Sequence, residues 1–333
     1  RACELVSVCM LHVQKMAEGS GNTQRIFVVL CLLAVMATAC AFLLRKGNVQ
    51  AQDDTAQRAA RVQDLWLEFV HAYDAVTEQA EDGRTKGFME VKDPFDTVPS
   101  EVVEEAKQRW RAFMERAPRH NDFHDLFLRE QAVVISGGGY QLEFAFATIK
   151  FLRTLGCTLP IELWVSGERG EMPNAEAAAM LARHEVEVHD IDEHVAAAAA
   201  SLPLLQEQMH PTEYGVKPYI LKQLALVSSN CRQCLLIDAD NAPLRDPTYL
   251  FSDPDFVRTG LLLWPDFWHM RAGSASIREI FGLPQSWDES EMLDMRTVES
   301  GQMVVDKQRA WQALMLSVYM QLQTQFFDNQ VCA

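Results

Sequence analysis

Apolar positions recur along this chain in three rhythms, and each predicts a different kind of element. The longest is continuous: Ile26 to Leu44 (IFVVLCLLAVMATACAFLL) has Thr38 as its only polar side chain. At ~1.5 Å per residue a helix of that length crosses the ~30 Å hydrocarbon layer of a bilayer. Arg25 on one side and Arg45-Lys46 on the other suit interfacial anchoring. The apolar region of a cleaved signal peptide is shorter, about 7–15 residues, so an uncleaved membrane anchor is the expectation. Basic residues are nearly balanced across the segment, and charge alone does not orient it. The second rhythm is helical. Val62, Leu65, Trp66, Phe69, Val70, Tyr73 and Val76 share one face, which predicts an amphipathic helix that pairs with a partner helix or folds onto the body. Glu81 to Pro99 carries the breakers of a linker, and a further helix is predicted from Ser100, with Val103, Ala106, Trp110, Phe113 and Met114 along one side.

From Ala132 the rhythm changes to short β-branched runs alternating with helices. AVVIS (Ala132–Ser136) precedes Gly137-Gly138-Gly139 and a helix from Leu142 to Leu155, then IELWV (Ile161–Val165) is the next strand. A helix over Asn174–Arg183, the strand VEVHDI, a helix from Pro218 to Ser229 and the buried strand CLLID (Cys234–Asp238) come after it. Strands alternating with helices predict an α/β protein with an open, mostly parallel sheet. Ligands of such sheets sit at the carboxyl ends of the strands.

Composition narrows the possibilities. The chain has 333 residues, 48% hydrophobic and 23% charged, which excludes a disordered or collagenous protein and allows a sizeable core. The formal net charge of −16 makes the body a poor partner for nucleic acid backbones, and no nucleic-acid partner is expected. The eight cysteines form no framework: Cys3, Cys9, Cys31 and Cys40 lie in or before the apolar segment. Cys231-Arg-Gln-Cys234 has redox or half-zinc spacing, but no second pair completes a zinc site and no helix comes directly after it to stabilise a thiolate. A structural or incidental pair is the expectation.

The chemistry is expected just past CLLID. Asp238-Ala239-Asp240-Asn241 places two carboxylates after a buried strand, hard oxygen ligands of the type that hold Mg²⁺ or Mn²⁺ against a diphosphate; a polar Asx turn is the alternative. Gly137, Gly138 and Gly139 form either a phosphate-facing turn or a permissive loop. Lys222 either reaches phosphate or is solvated. The strand Thr259–Trp264 leads into Pro265-Asp266-Phe267-Trp268, where Asp266 and the aromatics either meet a sugar or pack in the core. Glu299-Ser300-Gly301-Gln302 is expected as a loop entering the strand Met303–Lys307, with a helix from about Arg309; Glu299 and Gln302 are acceptor or transition-state contacts, or a simple turn.

VVISGGG, LRTLGCTLPIELW, YGVKPYILKQLALVSS, CLLIDADNAPLRDPTYLF, TGLLLWPDFW and ESGQMVVDK, in this order between Val133 and Leu316, resemble the fungal Golgi α-mannosyltransferase family, whose members extend mannan with α-1,2 and α-1,3 linkages. The resemblance implies a GT-A type nucleotide-sugar fold, GDP-mannose as donor, a mannose-terminated glycan or glycoprotein as acceptor, Mn²⁺ (or Mg²⁺) as metal and retention of anomeric configuration. Asp238 and Asp240 match the family's metal-binding acidic pair, and Glu299 and Gln302 its ESGQ-like motif. Gly137–Gly139, Lys222 and Asp238 are then expected near the nucleotide, with Asp266, Glu299 and Gln302 as catalytic candidates. It also implies type II Golgi topology: a cytosolic tail 1–25, an anchor 26–44, a stem 45–98 and a lumenal catalytic domain 99–333. The family pattern continues to a late Gly-Asp-Lys-Asp-like segment, whereas this chain closes on QFFDNQVCA, so an incomplete catalytic domain is expected. A UDP-hexose transferase of the same fold and a catalytically impaired, membrane-tethered glycan-binding relative are the alternatives.

Overall fold

A computed structural model describes residues 54–76, 99–210, 219–269, 279–280 and 296–323. The chain divides into two units, 1–58 and 59–333, and the sheet and its helices belong to the second. The apolar run 26–44, the linker residues 81–98 and the carboxyl-terminal QFFDNQVCA lie outside the described residues. Among the described residues no helix is long and apolar enough to cross a membrane.

The frame is one six-stranded mixed sheet in the order β3-β2-β1-β4-β6-β5. Its strands are β1 (Arg129–Ser136), β2 (Ile161–Val165), β3 (Val186–Asp190), β4 (Cys231–Asp238), β5 (Leu261–His269) and β6 (Arg296–Asp306). β1 to β4 are parallel, as their alternation with helices predicts, and β6 runs antiparallel to both β4 and β5. The register sets Ser136 beside both Trp164 and Asp238, so β1, β2 and β4 finish level with one another.

Successive strand residues face opposite sides, and both sides are covered. Ala132, Val134 and Leu236 belong to a core with residues 59–74 of α1 (54–74), α2 (Ser100–Arg116), α5 (Ile191–Ser201), α6 (Pro203–Met209), α7 (Ile220–Ser228) and α9 (Lys307–Leu322). Val133, Ile135 and Ile237 belong to the other, with α3 (Leu142–Thr154), α4 (Ala175–Ala182) and α8 (Pro254–Thr259). That is why these strands read as continuous apolar runs.

Of the two placements open to the amphipathic helix α1, the structure shows the body. Trp66, Phe69 and Tyr73 are fully buried, Phe69 meets Phe113 edge-on at 5.2 Å, and Trp66 Nε1 donates to Ser228 Oγ at 3.0 Å. Trp66→Ala should therefore cost about 3–5 kcal/mol. Urea denaturation checks this; a loss under about 1 kcal/mol would mean that α1 is dispensable to the core.

Two expectations change, and a third is narrowed to one of its alternatives. β6 begins at Arg296, so Glu299-Ser300-Gly301-Gln302 lies inside a strand, where pairing with β4 and β5 outweighs the turn tendency of Ser-Gly. β5 continues through Pro265 and Asp266 to His269, with register irregularities on either side of Trp264-Pro265. Cys231 and Cys234, both buried, are joined by a disulfide within β4, which makes the pair structural.

Candidate active site

β4 delivers Asp238 to the carboxyl edge of the sheet, and a tight turn holds Ala239, Asp240 and Asn241. Asn241 N–H donates back to Asp238 O at 3.0 Å, while buried Thr148 of α3 donates its hydroxyl to Ala239 O at 2.8 Å and Asn241 O at 3.3 Å. Asn241 Nδ2 donates to Gly301 O at 3.1 Å, tying this turn to β6. Asp240, at the turn, is exposed. Asn241 and Gly301 lie inside the two motifs without a role assigned to them, and for Thr148 a lone threonine on the apolar face of α3 is the one available clue.

Lys222, in the first turn of α7, places Nζ 2.7 Å from Asp238 Oδ2, and neither side chain is more than a quarter exposed. The lysine is thus an ion-pair partner and not a solvated side chain. Among the described residues Asp238 Oδ1 is buried without a hydrogen-bond partner. Burial raises the Asp238 carboxyl above the ordinary aspartate range; Lys222 opposes this, and the charges of Asp240 and Glu299 reinforce it. Three carboxylates and one ammonium therefore act on a single point.

Glu299 reaches that point from β6. Its Oε1 accepts Gly301 N–H at 2.6 Å, and a Cβ on Gly301 would stand 2.8 Å from this oxygen and 3.5 Å from Asp238 Oδ2. A side chain at position 301 would push the Glu299 carboxylate from this place. Gln302, half-buried, is the register partner of Ile237, next to Asp238 on β4.

The glycine loop after β1 abuts the same turn. A Cβ on Gly137 would lie 2.9 Å from Ala239 Cβ, and this φ of +154° is itself rare for a side-chain-bearing residue. Gly137 N–H donates to Trp164 O at 3.0 Å and Gly139 N–H to Glu171 O at 3.2 Å, so these two donors are engaged within the protein. Gly138 lies against Val165 and the carbonyl of Glu171. Close packing of the loop is what this geometry supports.

Asp266 lies apart from this group in its contacts. Its oxygens accept Phe267 N–H at 2.5 Å and the Thr297 hydroxyl at 3.4 Å, on the β5–β6 ribbon. Of the neighbouring aromatics, Trp264 packs against the core and Phe267 is 77% exposed.

A second cluster is distinct from the first. Glu162, Glu187 and His189 place ligand atoms within 4.8 Å of one another, a spacing a metal ion could bridge. Each carboxylate is already supplied with donors. Glu162 accepts Asn230 N–H at 3.1 Å and Trp164 Nε1 at 3.2 Å, and Arg129 Nη2 grips both Glu187 oxygens at 2.9 and 3.0 Å. The His189 ring, its Nε2 3.6 Å from Glu187 Oε2, and the Arg129 guanidinium hold the Glu187 carboxyl down at about 2. A depressed carboxylate stabilises the fold above its unfolded pKa and ceases to do so as pH falls toward the folded value. The melting-temperature gap between wild type and Glu187→Gln is therefore expected to be full at pH 6 and to shrink below about pH 4.5. A gap independent of pH between 6 and 3 would count against the ion pair.

The first cluster lies in a stretch of chain shared with known proteins. Residues 131–296 match the family described as "Mannosyltransferase putative". This stretch belongs to a mannosyltransferase family. It is 28% identical over 197 residues to alpha-1,2-mannosyltransferase MNN2 of Candida albicans, covering 59% of this chain and 31% of that protein. It is 34% identical over 138 residues to alpha-1,2-mannosyltransferase MNN2 of Saccharomyces cerevisiae, covering 40% and 20% respectively. Alpha-1,2-mannosyltransferase MNN5 of the same yeast is 28% identical over 151 residues, covering 43% of this chain and 22% of that protein. The alignments with the two MNN2 proteins thus span less than a third of each relative's length. The family match includes Gly137–Gly139, Lys222, Asp238, Asp240 and Asp266; Glu299 and Gln302 fall just beyond its end.

Proposed function

We propose that this chain is a membrane-anchored α-mannosyltransferase that moves mannose from GDP-mannose to a mannose-terminated glycan with retention. The observation that carries the reading is the buried Oδ1 of Asp238, without a partner among the described residues, at the carboxyl edge of a parallel sheet in a chain related to alpha-1,2-mannosyltransferases. A buried carboxylate oxygen lacking a donor, with Asp240 two residues on, fits a divalent cation. When bound, Mn²⁺ (or Mg²⁺) supplies positive charge to the departing diphosphate.

The chain's own residues do the remainder. Asp238 and Asp240 hold the cation, and the turn pinned by Thr148 and Asn241 keeps their backbone in place. Lys222 supplies a further positive charge toward the diphosphate. Gly137–Gly139 let the β1 loop approach the same turn, so nucleotide can lie across the ends of β1 and β4. Glu299, held by Gly301 N–H, and Gln302 line the sugar side, and Asp266 receives the acceptor from the β5–β6 ribbon. The mixed sheet supports a GT-A type assignment.

Residues 26–44 form the anchor, with 1–25 cytosolic, a stem beyond the anchor, and the catalytic body in the Golgi lumen. The Cys231–Cys234 disulfide supports that side of the membrane, because disulfides persist in oxidising compartments. Binding competition tests the donor: GDP-mannose is expected to displace labelled GDP in Mn²⁺ at least about tenfold more effectively than UDP-glucose. A preference for UDP-glucose would refute the donor assignment and favour a UDP-hexose transferase.

A further inference from the structure

We infer that Lys222 is the resident counter-ion of the Asp238 site, standing beside the position the cation would take and moving to the diphosphate when metal and nucleotide are present together. The inference rests on the reading of Asp238 as a metal ligand. Its ground is the 2.7 Å contact between Lys222 Nζ and Asp238 Oδ2, with Asp238 Oδ1 left without a donor among the described residues. The ammonium therefore satisfies one carboxylate oxygen and leaves the other open.

An ammonium and a divalent cation bound at one carboxylate repel each other strongly at such separations. Metal arriving alone must then displace Lys222 or bind beside it at a cost. Metal arriving with a nucleoside diphosphate gives the ammonium a second anion to pair with. The geometry permits the transfer. Ile220, Leu221 and Leu224 are buried and fix the helix, while a four-carbon stem lets Nζ turn about a fixed Cα. Asp240 and Glu299 add negative charge around Asp238, so the region retains attraction for a cation once the lysine has left.

One substitution is expected to have two effects of opposite sign. Lys222→Met removes the competitor for metal and also removes a ligand for diphosphate. Mn²⁺ titration of the full chain in detergent, monitored by electron paramagnetic resonance without nucleotide, is expected to show binding about tenfold tighter than wild type. Calorimetric titration of GDP at saturating Mn²⁺ is expected to show binding about tenfold weaker. Lys222→Arg keeps the charge and should return metal binding without nucleotide toward the wild-type value. A lysine with only a structural role would weaken both affinities or change neither.

Thermal melts identify folded variants, and Lys222→Gln replaces Lys222→Met if the latter does not fold. Unchanged or weaker binding of Mn²⁺ alone in a folded variant overturns the role of Lys222 and leaves the metal reading intact. Absence of Mn²⁺ binding by wild type, with and without GDP, overturns both.

Discussion

The Asp238→Asn protein is expected to lose Mn²⁺-dependent GDP binding by at least about a hundredfold, since even groups one step removed from a metal cost 10–100-fold. It should nevertheless melt at or slightly above the wild-type temperature at neutral pH. The carboxyl is raised by burial, so the fold disfavours its charged form. A group raised in the native state weakens the fold as pH climbs through its folded pKa, and a neutral amide does not carry that penalty. Lys222 loses its partner, but its side chain is 21% exposed and can turn to water. Binding is read by calorimetry and stability by circular dichroism. A large fall in melting temperature with GDP affinity retained would make Asp238 a structural carboxylate and end the donor-site reading.

Lys307→Met is expected to destabilise the fold by about 3 kcal/mol, with a melting temperature lowered by about 6 °C. Lys307 is fully buried, where its ammonium donates to Leu226 O and Val227 O at 3.1 Å and to Ser229 O at 2.7 Å. These carbonyls belong to the carboxyl end of α7, where a helix presents acceptors without partners and partial negative charge. The Phe127 ring, 4.8 Å from Nζ, adds a cation–π contact. Methionine fills the volume and donates nothing. A thermal shift under about 2 °C would show that water satisfies those carbonyls.

Local pattern and long-range pairing contribute unequally to what the sequence reveals. IELWV coincides with β2 because all five residues are buried and apolarity alone marks both ends. β1 begins three residues before AVVIS, and those residues, Arg129, Glu130 and Gln131, are polar. Glu130 is satisfied by Arg232 and Gln131 by Gln233 on the neighbouring strand, so the partners that make them strand-like lie about a hundred residues away. Ser300-Gly301 reads locally as a breaker and becomes part of a strand through its neighbours on β4 and β5.

The site divides in the same way. Asp238 and Asp240 announce themselves by their position after a buried strand, and proximity in sequence places them together. The Lys222–Asp238 contact requires the first turn of α7 to reach the carboxyl end of β4, which residue spacing does not specify. Glu299 enters the group only through the β4–β6 register, and the bond from Asn241 to Gly301 joins the two motifs across it.

The place of β4 in the sheet has a consequence for biosynthesis. β4 lies between β1 and β6, and β6 is the last of the six strands to be made. A nascent chain that has completed β4 but not yet Arg296–Asp306 lacks that neighbour, leaving one side of an apolar strand open to pairing with other chains. Messages truncated in this interval should yield product that aggregates or is degraded. Protection of this edge by a chaperone would have to last until the ribosome has passed Asp306.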